Sequence, residues 1–102
     1  MAAKDHLVAT LHSALAAEHR EIRILVEQMA EHLLADEAFV LAHAEELQGF
    51  DLLVQHTEEA AHLLDRMAQG THVTDAVDAV RLDAVQARLR AALSLAHSAE
   101  AA

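Results

Sequence analysis

Along the first third of the chain apolar residues recur at alternating steps of three and four. Leu11, Leu15, Ile22, Leu25, Met29 and Leu33 form the series, with Glu18 filling the gap. That spacing keeps them on one stripe of a helix, close to a heptad seam. It predicts a first helix over about residues 4–34. Ala35-Asp36 is a weak break, where Asp36 suits an N-cap and Glu37 suits the next first turn. The second helix is expected over about 37–69, ending at Gly70, a natural residue for the position just past a helix.

The faces of that second helix are unequal. One apolar face carries His43, Leu47, Phe50, Val54, Ala61 and Leu64, and a second, nearly opposite, carries Ala42, Leu53, Ala60, Leu63 and Met67. Between them runs a narrow polar stripe of Gln48, Asp51, Gln55, Glu58 and His62. Two apolar flanks need two covers, so one partner helix is not enough. Thr71-His72-Val73-Thr74 reads as a linker, with Thr74 as N-cap and Asp75 and Asp78 in the turn that follows. A third helix is expected over about 75–96, with Val77, Leu82, Val85, Leu89 and Leu93 inward. The resulting expectation is a single all-α domain over residues 1–102. It is a long antiparallel helical hairpin with a shorter third helix, two copies joining into a four-helix bundle.

Composition sharpens this picture. Hydrophobic residues make up 54% of the 102-residue chain but aromatics only 2%, with no Pro, no Trp, no Tyr and two Gly. Much of the apolar content is alanine, which favours helix over sheet and suits closely packed helices. A formal net charge of −10 disfavours nucleic acid and anionic membrane surfaces as partners. Without cysteine there is no disulfide, thiolate zinc site or thiol nucleophile. No long uncharged run is present for spanning a bilayer, so a soluble cytoplasmic protein is expected.

The candidate chemistry lies in Leu47-Gln48-Gly49-Phe50-Asp51-Leu52-Leu53-Val54-Gln55. Asp51 and Gln55 are four residues apart, which on a helix turns them by only about 40° and separates them by about 6 Å. Acid and amide can therefore enter one neighbouring site together. Most such pairs on helices are exposed polar neighbours worth a few tenths of a kcal/mol. Here, however, the pattern L-Q-x-x-D-x-x-x-Q resembles the phosphatase motif of CheZ-type chemotaxis proteins. It is closer still to the short CheT-like proteins that carry the motif on a compact helical chain. The resemblance implies a phosphatase of a phosphorylated CheY-like response regulator. Gln55 would orient the hydrolytic water, and Asp51 would engage the active-site lysine of the receiver domain. Mg²⁺ would arrive with that receiver, and this chain would hold no metal of its own. Gln48 would add a supporting contact and Leu47 a packing one. The larger relatives bind their regulator through a tethered C-terminal segment that has no counterpart here. Recognition would then fall to the bundle itself, with Phe50, Leu52, Glu58 and Glu59 flanking the motif. Gly49, nearly opposite the polar stripe, reads as a site of close helix packing.

Nine histidines raise a rival reading. Glu59-Ala60-Ala61-His62 is an E-x-x-H pair of the di-iron type, and Glu18-His19 on the first helix could face it. Those segments, with His56, also resemble ferritin-like and hemerythrin-like metal bundles. Against this, a second E-x-x-H is missing, and Ala60 stands where the hemerythrin pattern wants glutamate. A histidine phosphotransfer domain fits less well, because Glu45 occupies the position of its histidine and Gln48 that of its lysine. A non-catalytic dimeric adaptor in signalling is the remaining alternative. It would tolerate loss of Asp51 or Gln55.

Overall fold

The computed structural model describes the backbone of residues 2–101 and the side chains of residues 5–99. Its elements are all helical: α1 (Ala2–Leu34), α2 (Glu37–Ala42), α3 (Ala44–Ala68), α4 (Val73–Asp78) and α5 (Asp83–Ala101). The Asp36 side chain caps α2 by accepting from the Phe39 N–H at 3.2 Å. At the far end of α3, Gly70 takes φ +87°. Around it the Thr71 N–H donates to the Arg66 carbonyl and the Gly70 N–H to the Met67 carbonyl. These are the paired bonds of a Schellman end, and they need a left-handed residue at that point.

Two of the expected helices are interrupted. The second is broken at His43, whose φ of −127° and ψ of 31° depart from helix. The break is a single-residue kink, because His43 N–H still reaches the Phe39 carbonyl and Leu47 N–H the His43 carbonyl. The His43 ring lies against Phe39, with centroids 4.4 Å apart. The third helix is split into α4 and α5 between Ala79 and Leu82, and Thr74 lies inside α4 while His72 occupies the N-cap. No Pro or Gly causes this split. The chain is held there by tertiary contacts, with Val77 and Val80 both buried at the corner. The Gln86 amide Nε2 donates to the Asp78 carbonyl at 2.9 Å and the Val80 carbonyl at 3.2 Å, satisfying groups left open at the corner.

The long helices α1 and α3 lie side by side and antiparallel. Asp5–Ala9 sits beside Met67–Gly70 at one end, and Ala30 and Leu34 sit beside Leu47 and Phe50 at the other. The contacting seam of α3 is Leu47, Phe50, Val54, Thr57, Ala61, Leu64 and Ala68, all buried or half-buried. The contacting seam of α1 is not the apolar stripe. It is Ala9, His12, Ala16, His19, Arg23, Val26, Ala30 and Leu33, so of the expected stripe only Leu33 faces inward. The rest of that stripe lies about 100° around the helix and is exposed. Small residues explain the choice: Ala16 and Ala61 are 0% and 1% exposed, letting the two backbones approach. Arginine then completes it, since Arg20 reaches Asp65 and Arg23 donates to Glu58 at 2.8 Å across the pair.

The second flank of α3 is covered by α4 and α5. Arg66 donates through Nε and Nη2 to the Ala76 carbonyl at 3.1 and 2.8 Å, holding α4 onto α3. Val85 and Leu89 of α5 line a cleft of about 340 Å³ with His56 and Ala60. Gly49 is exposed, and a Cβ added there would meet nothing within 4 Å. It is therefore not a close-packing glycine in this fold. Gly49→Ala should stabilise the chain by about 0.5–1 kcal/mol through helix propensity alone. Urea unfolding checks this, and a loss of stability would mean that something covers Gly49 in solution. Among the described residues no helix is long and apolar enough to cross a membrane.

Candidate functional site

The polar face of α3 is a continuous seam. Gln48, Asp51, Gln55, Glu58, His62, Asp65 and Gln69 follow one another at alternating steps of three and four. It lies about 100° from the seam that contacts α1, so it looks out along one side of the helix pair. Gln48, Asp51, Gln55 and His62 are exposed, whereas Glu58 and Asp65 are half-buried.

Charge is distributed unevenly along this seam. Of its three carboxylates, Asp65 is paired with Arg20 and Glu58 with Arg23. Both pairs are partly solvated, so each contributes modestly, about 0.2–1 kcal/mol. Among the described residues Asp51 has no cation, hydrogen bond or ion pair, and Gln55 likewise has no partner. An exposed carboxylate and an exposed amide, one helical turn apart, are thus left with their full capacity for an incoming group. The two arginines are the residues that sequence reading missed. Their signal was an Arg pair three apart, following the Ala16 and His19 of the same helix.

A cleft opens next to the pair. Ala30, Leu34, Val40, Ala44, Leu47 and Phe50 line an apolar slot of about 260 Å³ with Gln48 and Asp51 also on its wall. Phe50 therefore belongs to the helix interface and the slot floor, and Leu47 packs with it. Leu52 points elsewhere on α3 and is 51% exposed. Glu59 is not available to a partner. It is only 9% exposed, and its Oε1 accepts the Arg81 N–H at 2.7 Å, which ties α3 to the start of α5. Glu58 is held by Arg23 and remains at the edge of the polar face.

The histidines are dispersed. His62 approaches the Glu59 carboxylate at 3.7 Å, but that carboxylate already serves Arg81. His19 and His62 line a small cleft of about 120 Å³ with Arg20, Arg23, Thr57, Glu58 and Ala61. The Nδ1 atoms of His12 and His19 are buried without a partner in the α1–α3 seam. Among the described residues no three His, Asp or Glu side chains are grouped so as to hold a metal ion. No protein-family model, curated protein or solved structure matches the chain.

Proposed function

We propose that this chain accelerates loss of phosphate from the phosphorylated aspartate of a CheY-like receiver domain in the cytoplasm. The observation that carries the reading is the state of the acid–amide pair. Among the described residues Asp51 is the one carboxylate of the polar seam left without a cation, and Gln55, one turn away, has no partner. The L-Q-x-x-D-x-x-x-Q pattern over Leu47–Gln55, which resembles the CheZ-type and CheT-like motif, gives the pair its role.

An aspartyl phosphate is an acyl phosphate whose leaving group is already good. Hydrolysis needs a water in line with the departing carboxylate and charge stabilisation around the phosphoryl group. The Gln55 carboxamide can accept a hydrogen bond from that water and donate one to a phosphoryl oxygen, without titrating. The water oxygen bonds to phosphorus, the bond from phosphorus to the aspartate oxygen breaks, and inorganic phosphate and free aspartate result. Asp51 pairs with the lysine of the receiver's active site and so fixes the helix in register. Mg²⁺ is held by the receiver and balances phosphoryl charge there. The slot floored by Phe50 offers an apolar anchor beside Asp51, with Gln48 on its wall and Leu52 and Glu58 at the periphery. In this reading the architecture is a long antiparallel hairpin with a third helical segment at its side, two copies joining into a four-helix bundle.

The test is phosphate release from receiver domains phosphorylated by a small-molecule phosphodonor, with and without the protein. Acceleration of one receiver is the expected result. An unchanged release rate across all receivers of the same organism would sink the reading.

A further inference from the structure

The apolar stripe left outside the helix pair is a complete heptad seam. Val8, Leu11, Leu15, Glu18, Ile22, Leu25, Met29 and His32 occupy successive a and d positions of α1. Its six apolar members are between 40% and 59% exposed. Because α1 and α3 are antiparallel, this seam and the α3 flank of Leu53, His56 and Ala60 look out on the same side. On the α3 half, α5 lines a cleft with His56 and Ala60. The α1 half stays open, and Leu53 beside it is 46% exposed.

We infer that this α1 seam is the face on which a second copy of the chain packs, with the two α1 helices running antiparallel. Area argues for a cover of this size. The accessible surface is 7456 Å², against about 5,700 Å² for a compact chain of 11.1 kDa. The surplus, about 1,800 Å² per chain, exceeds the roughly 800 Å² per partner of a stable interface. Shape says the same. The radius of gyration is 17.4 Å where about 13 Å is usual for this length, and the thinnest dimension is only 18 Å. The open apolar part of this slab is its α1 half, and a two-fold axis sets two such α1 seams against each other without leaving either open.

Glu18 sets the direction. Parallel helices would place Glu18 against its own copy in the middle of a dry seam, two like charges with no counterion. Antiparallel helices with full overlap place Glu18 opposite Ile22 of the second copy. They also bring Leu11 to Met29 and Leu15 to Leu25, and they leave His32 at the ends with Val8.

Mass measurement by sedimentation, from micromolar to several hundred micromolar protein, tests the face. The wild type should be dimeric, and Leu25→Glu should be a monomer of unchanged helicity, since Leu25 is 52% exposed and lies off the α1–α3 seam. If Leu25→Glu loses helicity, Ile22→Ser supplies a milder variant, expected to weaken the dimer at least tenfold. A wild type that stays monomeric throughout, or a dimer unaffected by both changes, would overturn the inference. Direction is read by oxidation, because the chain has no cysteine of its own. Leu11→Cys alone should not crosslink, as antiparallel pairing holds the two copies about 27 Å apart along the axis. The double variant Leu11→Cys, Met29→Cys should crosslink readily. Efficient crosslinking of Leu11→Cys alone would reverse the assigned direction. These readouts do not depend on phosphatase activity.

Discussion

Gln55→Ala is expected to remove the acceleration of receiver dephosphorylation, by about 100-fold or more, while leaving the protein folded and able to bind its receiver. The magnitude follows from the task assigned to the amide. Losing one preorganised hydrogen-bonding group aimed at the reacting centre costs on the order of 10²–10³ in rate. Gln55 is exposed and has no partner among the described residues, so its side chain carries no structural duty there. Stability should stay within about ±0.5 kcal/mol. Asp51→Ala should behave differently, raising the receiver concentration needed for half-maximal rate more than it lowers the maximal rate, because its proposed role is docking. Paired assays over a receiver titration separate the two. Equal and complete activity in both variants would leave Asp51 and Gln55 as exposed polar neighbours and place the catalysis on other residues.

How far the sequence could be read depends on which physical term decides each feature. Asp36 and Gly70 were legible because a cap and a left-handed residue act within one turn of chain. The α3 seam through Leu47, Phe50, Val54 and Leu64 was legible because apolar periodicity there coincides with the intrachain contact. On α1 the apolar stripe and the intrachain contact lie on different faces. Periodicity shows that Leu11, Leu15, Ile22, Leu25 and Met29 want a cover, but cannot say whether the cover belongs to the same chain. Packing within the chain went to the alanine seam instead, where Ala16 permits close approach and Arg20 and Arg23 find Asp65 and Glu58. The splits at His43 and after Asp78 were invisible for a related reason. No local breaker marks them, and at the second the chain is held by contacts from Glu59 and Gln86. Within the candidate site, the spacing of Asp51 and Gln55 put both on one exposed face. That Asp51 alone lacks a cation depended on arginines from another helix.

Glu59→Ala is expected to destabilise the chain by about 1.5–3 kcal/mol, the cost of losing a part-buried hydrogen bond to a charged acceptor. The carboxylate is almost wholly buried, and its Oε1 receives the Arg81 N–H at 2.7 Å where the chain turns from α4 into α5. Arg81 has no helical carbonyl to replace it, because it precedes the first turn of α5. For a domain of this size each kcal/mol lowers the melting temperature by about 4–8 °C, so circular dichroism should show a clear downward shift. Glu59→Gln retains an acceptor oxygen and should lose distinctly less. Hydrogen exchange should quicken at Arg81 in the alanine variant before it does so in the α1–α3 seam, since α4 would still be held by Arg66 on the Ala76 carbonyl. The opposite pattern is equally readable. Unchanged stability together with weakened receiver binding would return Glu59 to the partner-facing surface, where its place beside the motif in the sequence first put it.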